Sequence, residues 1–594
     1  MERQTSIHRP FTAACVQFNP ILGESDRNID ALLEAVQEAA ESGARLIVTP
    51  EMATTGYHYE SREAIAPFVD TIPGYTTSRF EELCRRYAVY VVIGMPEVDP
   101  ATGLYYNAAA LIGPDGYIGK YRKVHLWETE AHWAAWGDLG VPVFDTEIGN
   151  IAINICMDSI FFESARLAAV QGADILVFPT NSTAQSVSML QARAETNGLY
   201  IVSANRTNTE LGYHMIGASA VWSPHGEKLA ESAFLPTSEE DMHETTILYA
   251  RIDPDLYRND AKARLSERRP ELYKELMLYK APWDFSKSRE SKNLTVAVLQ
   301  YEPVIGDKQA NLAKIQHLIR LASQQAKAQS AKLDLLVLPE LSTTGPLDGL
   351  SVEKCFELSE TSSGTSVSFM GQLAVTYQVS IVFGFVEREE ARLYNTAVLI
   401  NPDGEVEGTY RQTHLRPDDK RWAAAGDRIS VFPSKTLGRI GLMIGYDALF
   451  PEVAGVLAVG RADVIAIPSS WSGPCFNEMA INPHIAANSF PEGAIAHWAT
   501  TAIGAQAYTI VANFTGTNRH FGGRSGVYTL DPLYGLDQPV VAAAEREEIL
   551  LAQITTLQHD WWFNQEKLIA SRRTEAYKRL VTRPVNEMDC PYRK

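Results

Sequence analysis

The chain of 594 residues contains an internal repeat, and this repeat limits the folds that it can adopt. Three pairs of equivalent residues are each separated by 289 positions: Glu51 and Glu340, Asp158 and Asp447, and Pro179 and Pro468. Two unrelated sequences would not keep one register over this distance, so the chain is predicted to be a tandem duplication. Two copies of this length indicate two globular domains rather than a solenoid of short repeats.

Each copy begins with the same order of predicted elements. Residues 11–18 are an apolar strand, an amphipathic helix covers 28–42, and a second strand at 44–51 ends in Pro-Glu. The second copy repeats this order at 294–300, 311–323 and 335–340. Helices alternate with strands that are continuous apolar runs, which is typical of an α/β layered fold with buried sheets.

The repeat also sets the predicted domain boundaries. We expect a first domain at 11–283 and a second at 293–585, joined by a polar linker at 280–293. Both copies end in a similar segment, 268–273 in the first and 572–577 in the second. An insertion at 471–498 occurs only in the second copy. It is interpreted as a lid, an interface loop or a solvated surface excursion, and the sequence leaves these alternatives open.

Charge, apolar stretches and cysteine positions argue against several classes of partner and site. The net charge is −19 and no basic run occurs, which argues against a nucleic acid or an anionic membrane surface as the partner. The N-terminus lacks the apolar core of a signal peptide, and no stretch approaches the roughly 18 apolar residues of a membrane span. The six cysteines are scattered, so neither a disulfide framework nor a zinc site is expected. These features predict a cytoplasmic protein.

Residues 149–163 read as an apolar strand, a sharp turn that carries Cys156, and the start of a helix. A thiol at such a corner projects into a crevice, and the amides of a helix N-terminus lie close to its sulfur. Both effects favour a reactive thiolate. The alternative is a buried structural cysteine, which is the usual state of a free cysteine in a protein core.

Three charged side chains and one backbone amide give this thiol a chemical context. Glu51 could accept the thiol proton, Lys123 and the backbone amide of Met157 could stabilise an oxyanion, and Glu130 could hold the lysine charged. Glu51 also has an ordinary explanation as a solvated or capping carboxylate, and Lys123 has one as a surface charge. Glu128 would serve as well as Glu130 by composition alone.

With these residues in view, the first copy resembles the nitrilase superfamily of carbon–nitrogen hydrolases. The motifs that carry the resemblance are Pro50-Glu51, the Tyr-Arg-Lys-Val-His-Leu run at 121–126, Glu130 with Gly137-Asp138, and the segment 156–163. The resemblance implies an α-β-β-α sandwich and a site formed by Glu51, Lys123, Glu130 and Cys156. It also implies a thioester acyl-enzyme, with neither a metal nor an organic cofactor. Phe162 departs from the proline that the family often has at that position.

The second copy keeps the fold pattern but loses these chemical groups. Gln412 replaces the lysine, Asp419 replaces the second glutamate, and Gly445 replaces the cysteine, while Glu340 is retained. We therefore expect a degenerate, non-catalytic domain. Because members of the superfamily commonly pair through a symmetric interface, the two domains are predicted to dock as an intrachain pseudo-dimer. Further association into a homo-oligomer is left open.

The resemblance favours a small amide or N-carbamoyl compound as the substrate. Family members that act on nitriles tend to have Trp-Glu after the nucleophile, whereas this chain has Met157-Asp158. A nitrilase, an acyl transferase to an amine, and a non-enzymatic scaffold or binding protein remain alternatives. Pocket residues are expected among one set of mostly aromatic side chains: Tyr57, Trp127, Trp133, Trp136, Phe161 and Asn181.

Overall fold

A computed structural model describes residues 9–233, 244–278, 289–473, 476–480, 482, 490–516, 521–530, 538–557 and 561–583. Most of the predicted linker lies outside the described residues, and so do the predicted domain ends at 283 and 585. The chain forms two compact units. The first comprises Met1–Ser266, Ala480–Ile485 and Arg572–Lys594, and the second comprises Glu267–Met479 and Ala486–Ser571.

The units and the sequence repeats therefore differ at their ends. The end segment of the first repeat belongs to the second unit, and the end segment of the second repeat belongs to the first unit. The division into domains at 11–283 and 293–585 follows the repeat and stays a prediction, as does the docking of the two domains as a pseudo-dimer.

The strands described in the first unit are β1 (Phe11–Gln17), β2 (Ala44–Val48), β3 (Tyr90–Val98), β4 (Tyr105–Gly113), β5 (Gly116–Arg122), β6 (Val143–Phe144), β7 (Ile151–Ile153), β8 (Ile175–Pro179), β9 (Tyr200–Ala204), β10 (Thr209–Glu210), β11 (Tyr213–His214), β12 (Ala220–Trp222), β13 (Lys228–Glu231) and β14 (Thr246–Ile252). The α-helices are α1 (Ser25–Glu41), α2 (Arg62–Ile65), α3 (Tyr75–Tyr87), α4 (Phe162–Val170), α5 (Gln185–Ser188), α6 (Leu190–Asn197) and α7 (Asp260–Arg264).

Among its described residues, the first unit has two six-stranded mixed sheets. One has the order β14-β1-β2-β3-β4-β5 and the other has the order β13-β12-β9-β8-β7-β6. Strands β1, β2 and β3 of the first sheet pack against β8 and β9 of the second, α1 and α3 cover the first sheet, and α6 covers the second. This four-layer arrangement confirms the predicted α-β-β-α sandwich and the α/β class.

The first layer forms as its sequence pattern predicts. Ile29, Leu32 and Val36 recur at helical spacing on α1 and are fully or almost fully buried against the first sheet. Gly43 follows the helix with a φ of 90°, a left-handed conformation that glycine adopts without steric cost. The helix extends over Ser25–Glu41, so it begins three residues before the predicted start.

The strands described in the second unit are β15 (Asn293–Gln300), β16 (Leu335–Val337), β17 (Ser380–Glu389), β18 (Arg392–Ile400), β19 (Val406–Arg411), β20 (Val431–Ser434), β21 (Gly438–Leu442), β22 (Val464–Pro468), β23 (Tyr508–Ala512), β24 (Thr515–Gly516), β25 (Phe521–Gly522), β26 (Gly526–Tyr528), β27 (Val540–Val541) and β28 (Glu548–Thr555). The α-helices are α8 (Lys308–Ala328), α9 (Val352–Leu358), α10 (Thr365–Tyr377), α11 (Pro451–Val459), α12 (Ala496–Ala505) and α13 (Gln565–Ala570).

The second unit repeats this sheet architecture in the part of the chain that the structure describes. Its two six-stranded sheets have the orders β19-β18-β17-β16-β15-β28 and β20-β21-β22-β23-β26-β27. The described part of the insertion at 471–498 contributes Trp471, Phe476 and Trp498 to the wall of a cavity of about 390 Å³ in this unit. Among the described residues, none of the helices has the length and apolar character that a membrane crossing requires.

Candidate active site

Three of the four predicted catalytic residues follow strand ends in the first unit. Glu51 lies just after β2, Lys123 directly follows β5, and Cys156 comes three residues after β7. Glu130 lies in a short 3-10 helix, Glu128–His132. Strand β2 runs parallel to β1, and β7 runs parallel to β8. The loops that carry Glu51 and Cys156 therefore both begin at the carboxyl ends of parallel strands, at the ends of the two packed sheets.

A glycine on the neighbouring strand permits the close approach of the Pro-Glu corner. A Cβ atom at Gly94 would lie 2.2 Å from the carbonyl oxygen of Pro50 and 2.8 Å from the Cα of Glu51. Backbone atoms cannot yield as the end of a side chain can, so only glycine fits on β3 at this point.

Lys123 lies between the two glutamates. Its Nζ is 2.7 Å from Glu51 Oε1 and 2.7 Å from Glu130 Oε1, and all three side chains are inaccessible to solvent. The backbone amide of Trp127 donates to Glu130 Oε2 at 2.8 Å. Glu128, the alternative in the sequence, is exposed. The geometry therefore favours Glu130 as the second carboxylate.

Two asparagines complete the carboxylate network. Asn107 Nδ2 lies 2.7 Å from both Glu51 Oε1 and Glu130 Oε1, so one amide bridges the two acids. Asn181 donates from its backbone amide to Glu51 Oε2 at 2.9 Å and from Nδ2 to the Glu51 carbonyl oxygen at 3.0 Å. The sequence predicted Asn181 as a pocket residue but missed Asn107. The recurrence of Tyr106-Asn107 as Tyr394-Asn395 was the available signal.

Cys156 occupies a strained turn. Its φ is +43°, a left-handed conformation that is uncommon for a residue with a side chain. Asp158 Oδ2 accepts a hydrogen bond from the Ile155 amide at 2.9 Å. Arg193 donates to the carbonyl oxygens of Ser159 and Ile160, both at 2.9 Å. These side chains hold the turn from both of its ends.

The thiol is 7% exposed, and two polar groups on the loop and helix after β8 lie close to it. Its Sγ lies 3.9 Å from the Asn181 carbonyl oxygen and 3.5 Å from Ser186 Oγ. Ser186 was not expected from the sequence, because nothing in the α5 segment distinguishes it from neighbouring serines. The Met157 amide belongs to the first turn of a 3-10 helix, Cys156–Ser159, where N–H groups have no intrahelical partner.

Burial and mutual charge set the protonation of the site. Burial raises the pKa of Glu51 to about 7, although the Lys123 ammonium opposes the rise. Burial and then the Glu51 carboxylate raise the pKa of the Cys156 thiol to about 12, and Lys123 again opposes this effect. Burial alone would lower the pKa of Lys123, but the carboxylates of Glu130 and Glu51 raise it overall. Burial and the Glu51 carboxylate therefore favour the neutral thiol, which is opposite to the thiolate expected from the sequence, and the two carboxylates favour a charged lysine.

The remaining pocket candidates divide between the site and its surroundings. Tyr57 is buried near Glu130, whose charge helps to raise the tyrosine pKa after the larger effect of burial, and it packs in a cluster with Trp133. Trp127 is half-buried and reaches the site through its backbone. Phe161 stacks on the His125 ring with centroids 3.9 Å apart. Trp136 is 51% exposed, so it belongs to the surface.

The second unit places its equivalent residues together without these chemical groups. Asn395 Nδ2 bridges Glu340 Oε1 and Gln412 Oε1 at 2.5 and 3.0 Å. A Cβ atom at Gly445 would lie 2.6 Å from Glu340 Oε2, so that carboxylate lies against the position of the missing side chain. The positive charge beside the Glu340 and Asp419 carboxylates comes from Arg416, which donates to Asp419 Oδ2 at 2.9 Å. Among the described residues of the chain, no group of His, Cys, Asp and Glu side chains is arranged to hold a metal ion.

Comparison with known proteins identifies the family. The carbon–nitrogen hydrolase family model matches residues 12–262 and again 295–558. A nitrilase of Pyrococcus abyssi is 38% identical over 266 residues, which are 44% of this chain and 98% of that protein. The omega-amidase NIT2-B of Xenopus laevis is 30% identical, with coverages of 41% and 88%, and a formamidase of Bacillus cereus is 33% identical, with coverages of 37% and 70%. This chain therefore belongs to the carbon–nitrogen hydrolase family and is an enzyme of the nitrilase superfamily, with the hydrolase domain present twice.

Proposed function

We propose that the first repeat hydrolyses the carbon–nitrogen bond of a small amide or N-carbamoyl compound through a thioester on Cys156. One observation carries the proposal. A buried ammonium, Lys123 Nζ, lies 2.7 Å from each of two buried carboxylates, and its charge acts on the thiol at the strained turn. A buried charge cluster of this kind beside a nucleophile is typical of a catalytic site.

In the acylation step, the thiol of Cys156 transfers its proton to Glu51 as sulfur attacks the carbonyl carbon. Two of the three N–H groups of Lys123 Nζ point to Glu51 and Glu130, and we assign the third to the oxyanion, together with the Met157 amide. The tetrahedral intermediate then collapses. Its carbon–nitrogen bond breaks, Glu51 returns the proton to nitrogen, and ammonia or an amine leaves.

In the deacylation step, a water molecule attacks the thioester carbon. Glu51 accepts a proton from this water, the carbon–sulfur bond breaks, and the thiolate takes the proton back from Glu51. The sum of the two steps consumes one water and releases an acid and ammonia or an amine. Glu130 keeps Lys123 charged through both steps because its carboxylate raises the lysine pKa.

An amide is favoured over a nitrile because Met157-Asp158 follows the nucleophile. Nitrile hydrolysis is the second candidate, and the observation in its favour is the name of the Pyrococcus abyssi relative, which is a nitrilase. The other two relatives described above are named as amidases. Acyl transfer from the thioester to an amine would use the same acylation step and differs only in the group that attacks the thioester.

The test combines product release with detection of the acyl-enzyme. A panel of amides, N-carbamoyl amines and cognate nitriles would be screened for ammonia release, and reactions quenched in acid would be analysed by peptide mass spectrometry. We expect the acyl mass on the peptide that contains Cys156. A nitrile with a higher kcat/KM than its cognate amide would contradict the amide assignment.

A matched pair of variants separates the nucleophile from other buried thiols. Cys156→Ala should abolish turnover and the acyl adduct with little change in the thermal midpoint. Cys84 is also a buried free thiol, but it lies on the core-facing side of α3, so Cys84→Ala should keep activity. Retention of even about a tenth of wild-type kcat/KM by Cys156→Ala would show that another group is the nucleophile.

A further inference from the structure

The first unit contains a hydrogen-bonded chain of side chains that ends at the nucleophile turn. Tyr577 Oη lies 2.7 Å from His125 Nε2, and His125 Nδ1 lies 2.8 Å from Asp158 Oδ1. Tyr577 comes from the end of the second repeat, 452 positions after His125. Both residues belong to the first compact unit, because that unit includes Arg572–Lys594.

The partners assign the protons in this chain. The backbone amide of Arg573 donates to Tyr577 Oη at 3.1 Å, which leaves the hydroxyl hydrogen for His125 Nε2. Nδ1 then carries the ring hydrogen and donates it to the Asp158 carboxylate. Burial raises the pKa of Tyr577 well above its usual value, so the hydroxyl remains a donor. The ring plane is also fixed, since His125 stacks on Phe161 at 3.9 Å.

Asp158 connects the His125 ring to the backbone that precedes the thiol. Besides the histidine ring, its carboxylate accepts from the Ile155 amide at 2.9 Å and from Tyr121 Oη at 2.7 Å. The Ile155 amide immediately precedes Cys156, whose φ of +43° must be imposed by its surroundings. The Asp158 carboxylate therefore helps to fix the backbone just before Cys156 and, with it, the direction of the sulfur.

A second contact from the same segment holds the helix that follows the thiol. Arg572 donates from Nε and Nη2 to Glu163 Oε1, both at 3.1 Å, and both side chains are buried. Glu163 lies in the first turn of α4. The end of the second repeat thus contacts α4 directly and reaches the turn that carries Cys156 through His125.

We propose that Tyr577 is a positioning residue for the Cys156 thiol, acting through His125 and Asp158. The second repeat has Gly445 in place of a thiol, yet its C-terminal segment would contribute to catalysis. It supplies the tyrosine that positions the thiol of the first repeat. This inference deepens the proposed function, on which it rests for the role of Cys156.

The second unit contains a corresponding chain without a nucleophile, in which Thr413 Oγ1 also contacts His414 Nδ1 and Asp447 Oδ1. Tyr273 Oη lies 2.7 Å from His414 Nε2, and His414 Nδ1 lies 3.0 Å from Asp447 Oδ1. Asp447 accepts from the Ile444 amide at 3.1 Å, directly before Gly445. If the network only stabilised the fold, its loss would have the same effect in both units. If it positions the thiol, its loss would affect chemistry in the first unit alone. The second unit therefore supplies an internal control.

The experiment compares Tyr577→Phe with Tyr273→Phe in the full chain. Each variant removes one buried hydroxyl from an equivalent hydrogen bond, so we expect similar decreases in thermal midpoint. The readout is the rate at which iodoacetamide alkylates Cys156, resolved by peptide mass spectrometry over a range of pH. We expect a roughly tenfold slower rate for Tyr577→Phe, and a parallel loss in kcat with little change in KM. Tyr273→Phe should stay within about twofold of wild type.

Two outcomes would overturn the inference: alkylation of Tyr577→Phe at the wild-type rate, or an equal slowing in Tyr273→Phe. If the tyrosine variants do not fold, His125→Gln and His414→Gln form a second matched pair with the same expectation. Alkylation reports on the thiol without any substrate. A wild-type chain that is alkylated at Cys156 but hydrolyses no amide would contradict the proposed function and leave the comparison of alkylation rates valid.

Discussion

Replacement of the buried lysine tests the charge balance of the candidate site most directly. Lys123→Gln introduces the residue that the second repeat has at the equivalent position, Gln412. The Lys123 Nζ atom is 2.7 Å from Glu51 Oε1 and from Glu130 Oε1, and none of the three side chains is exposed. The substitution therefore leaves two carboxylates buried without a cation.

The expected loss of stability follows from this burial. Removal of one partner from a buried ion pair costs about 3–5 kcal/mol, and we expect the lower end because glutamine can still donate one hydrogen bond. For a domain of this size, about 3 kcal/mol corresponds to a decrease of roughly 6–12 °C in the thermal midpoint. Loss of the oxyanion donor should also lower kcat by at least about 10²-fold.

The loss of stability should depend on pH. Burial already raises the folded-state pKa of Glu51 to about 7, and Lys123 opposes that rise. Without the lysine, this pKa rises further. A carboxyl group whose pKa is raised by folding lowers stability as pH increases from its unfolded pKa through its folded pKa. The difference in thermal midpoint between wild type and variant should therefore widen above about pH 7 and narrow toward about pH 5.

Thermal unfolding followed by circular dichroism at several pH values measures this difference. Lys120→Gln is the matched control: Lys120 pairs with Glu97, but Arg122 also donates to Glu97 at 2.7 and 2.8 Å and would remain. We expect less than about 1 kcal/mol from the control. A Lys123→Gln loss that is no larger than the control, or that does not change with pH, would refute the reasoning.

Three further predictions concern the catalytic base, the silent repeat and the isolated first half. The kcat/KM for an amide should rise along an acid limb near pH 7, because Glu51 has a pKa raised to about 7 by burial and must be ionised to accept the thiol proton; a flat pH profile would contradict this. Gly445→Cys on a chain without the first thiol should release no ammonia, since its Cβ would lie 2.6 Å from Glu340 Oε2 and Gln412 provides no charge; measurable turnover would refute the assignment. Residues 1–290 expressed alone should self-associate and lose activity, and a monomer in sedimentation with full kcat would contradict the predicted pseudo-dimer.

Local pattern was sufficient for the layers, whereas the candidate site also needed the resemblance to a known family. The strand at 11–18, the helix after it and the Pro-Glu corner follow from apolar periodicity and from turn residues, which act over a few positions. Glu51, Lys123 and Cys156 each follow a strand, and a sandwich fold places such loops at the sheet ends. Composition alone did not separate Glu128 from Glu130, and the choice of Glu130 rested on the resemblance. The 3-10 helix at Glu128–His132 supports that choice, because it exposes the first residue and buries the third.

The sequence by itself determined the duplication, the α/β fold and the loss of chemical groups in the second copy, because residue identity and register are enough for these conclusions. It also revealed that the segments ending in Tyr273 and Tyr577 are alike, but it assigned each to its own repeat. Only the tertiary structure decided that each segment belongs to the other compact unit. The physical reason is that the partner of Tyr577, His125, lies 452 positions away, and no local propensity or spacing encodes a hydrogen bond over that distance.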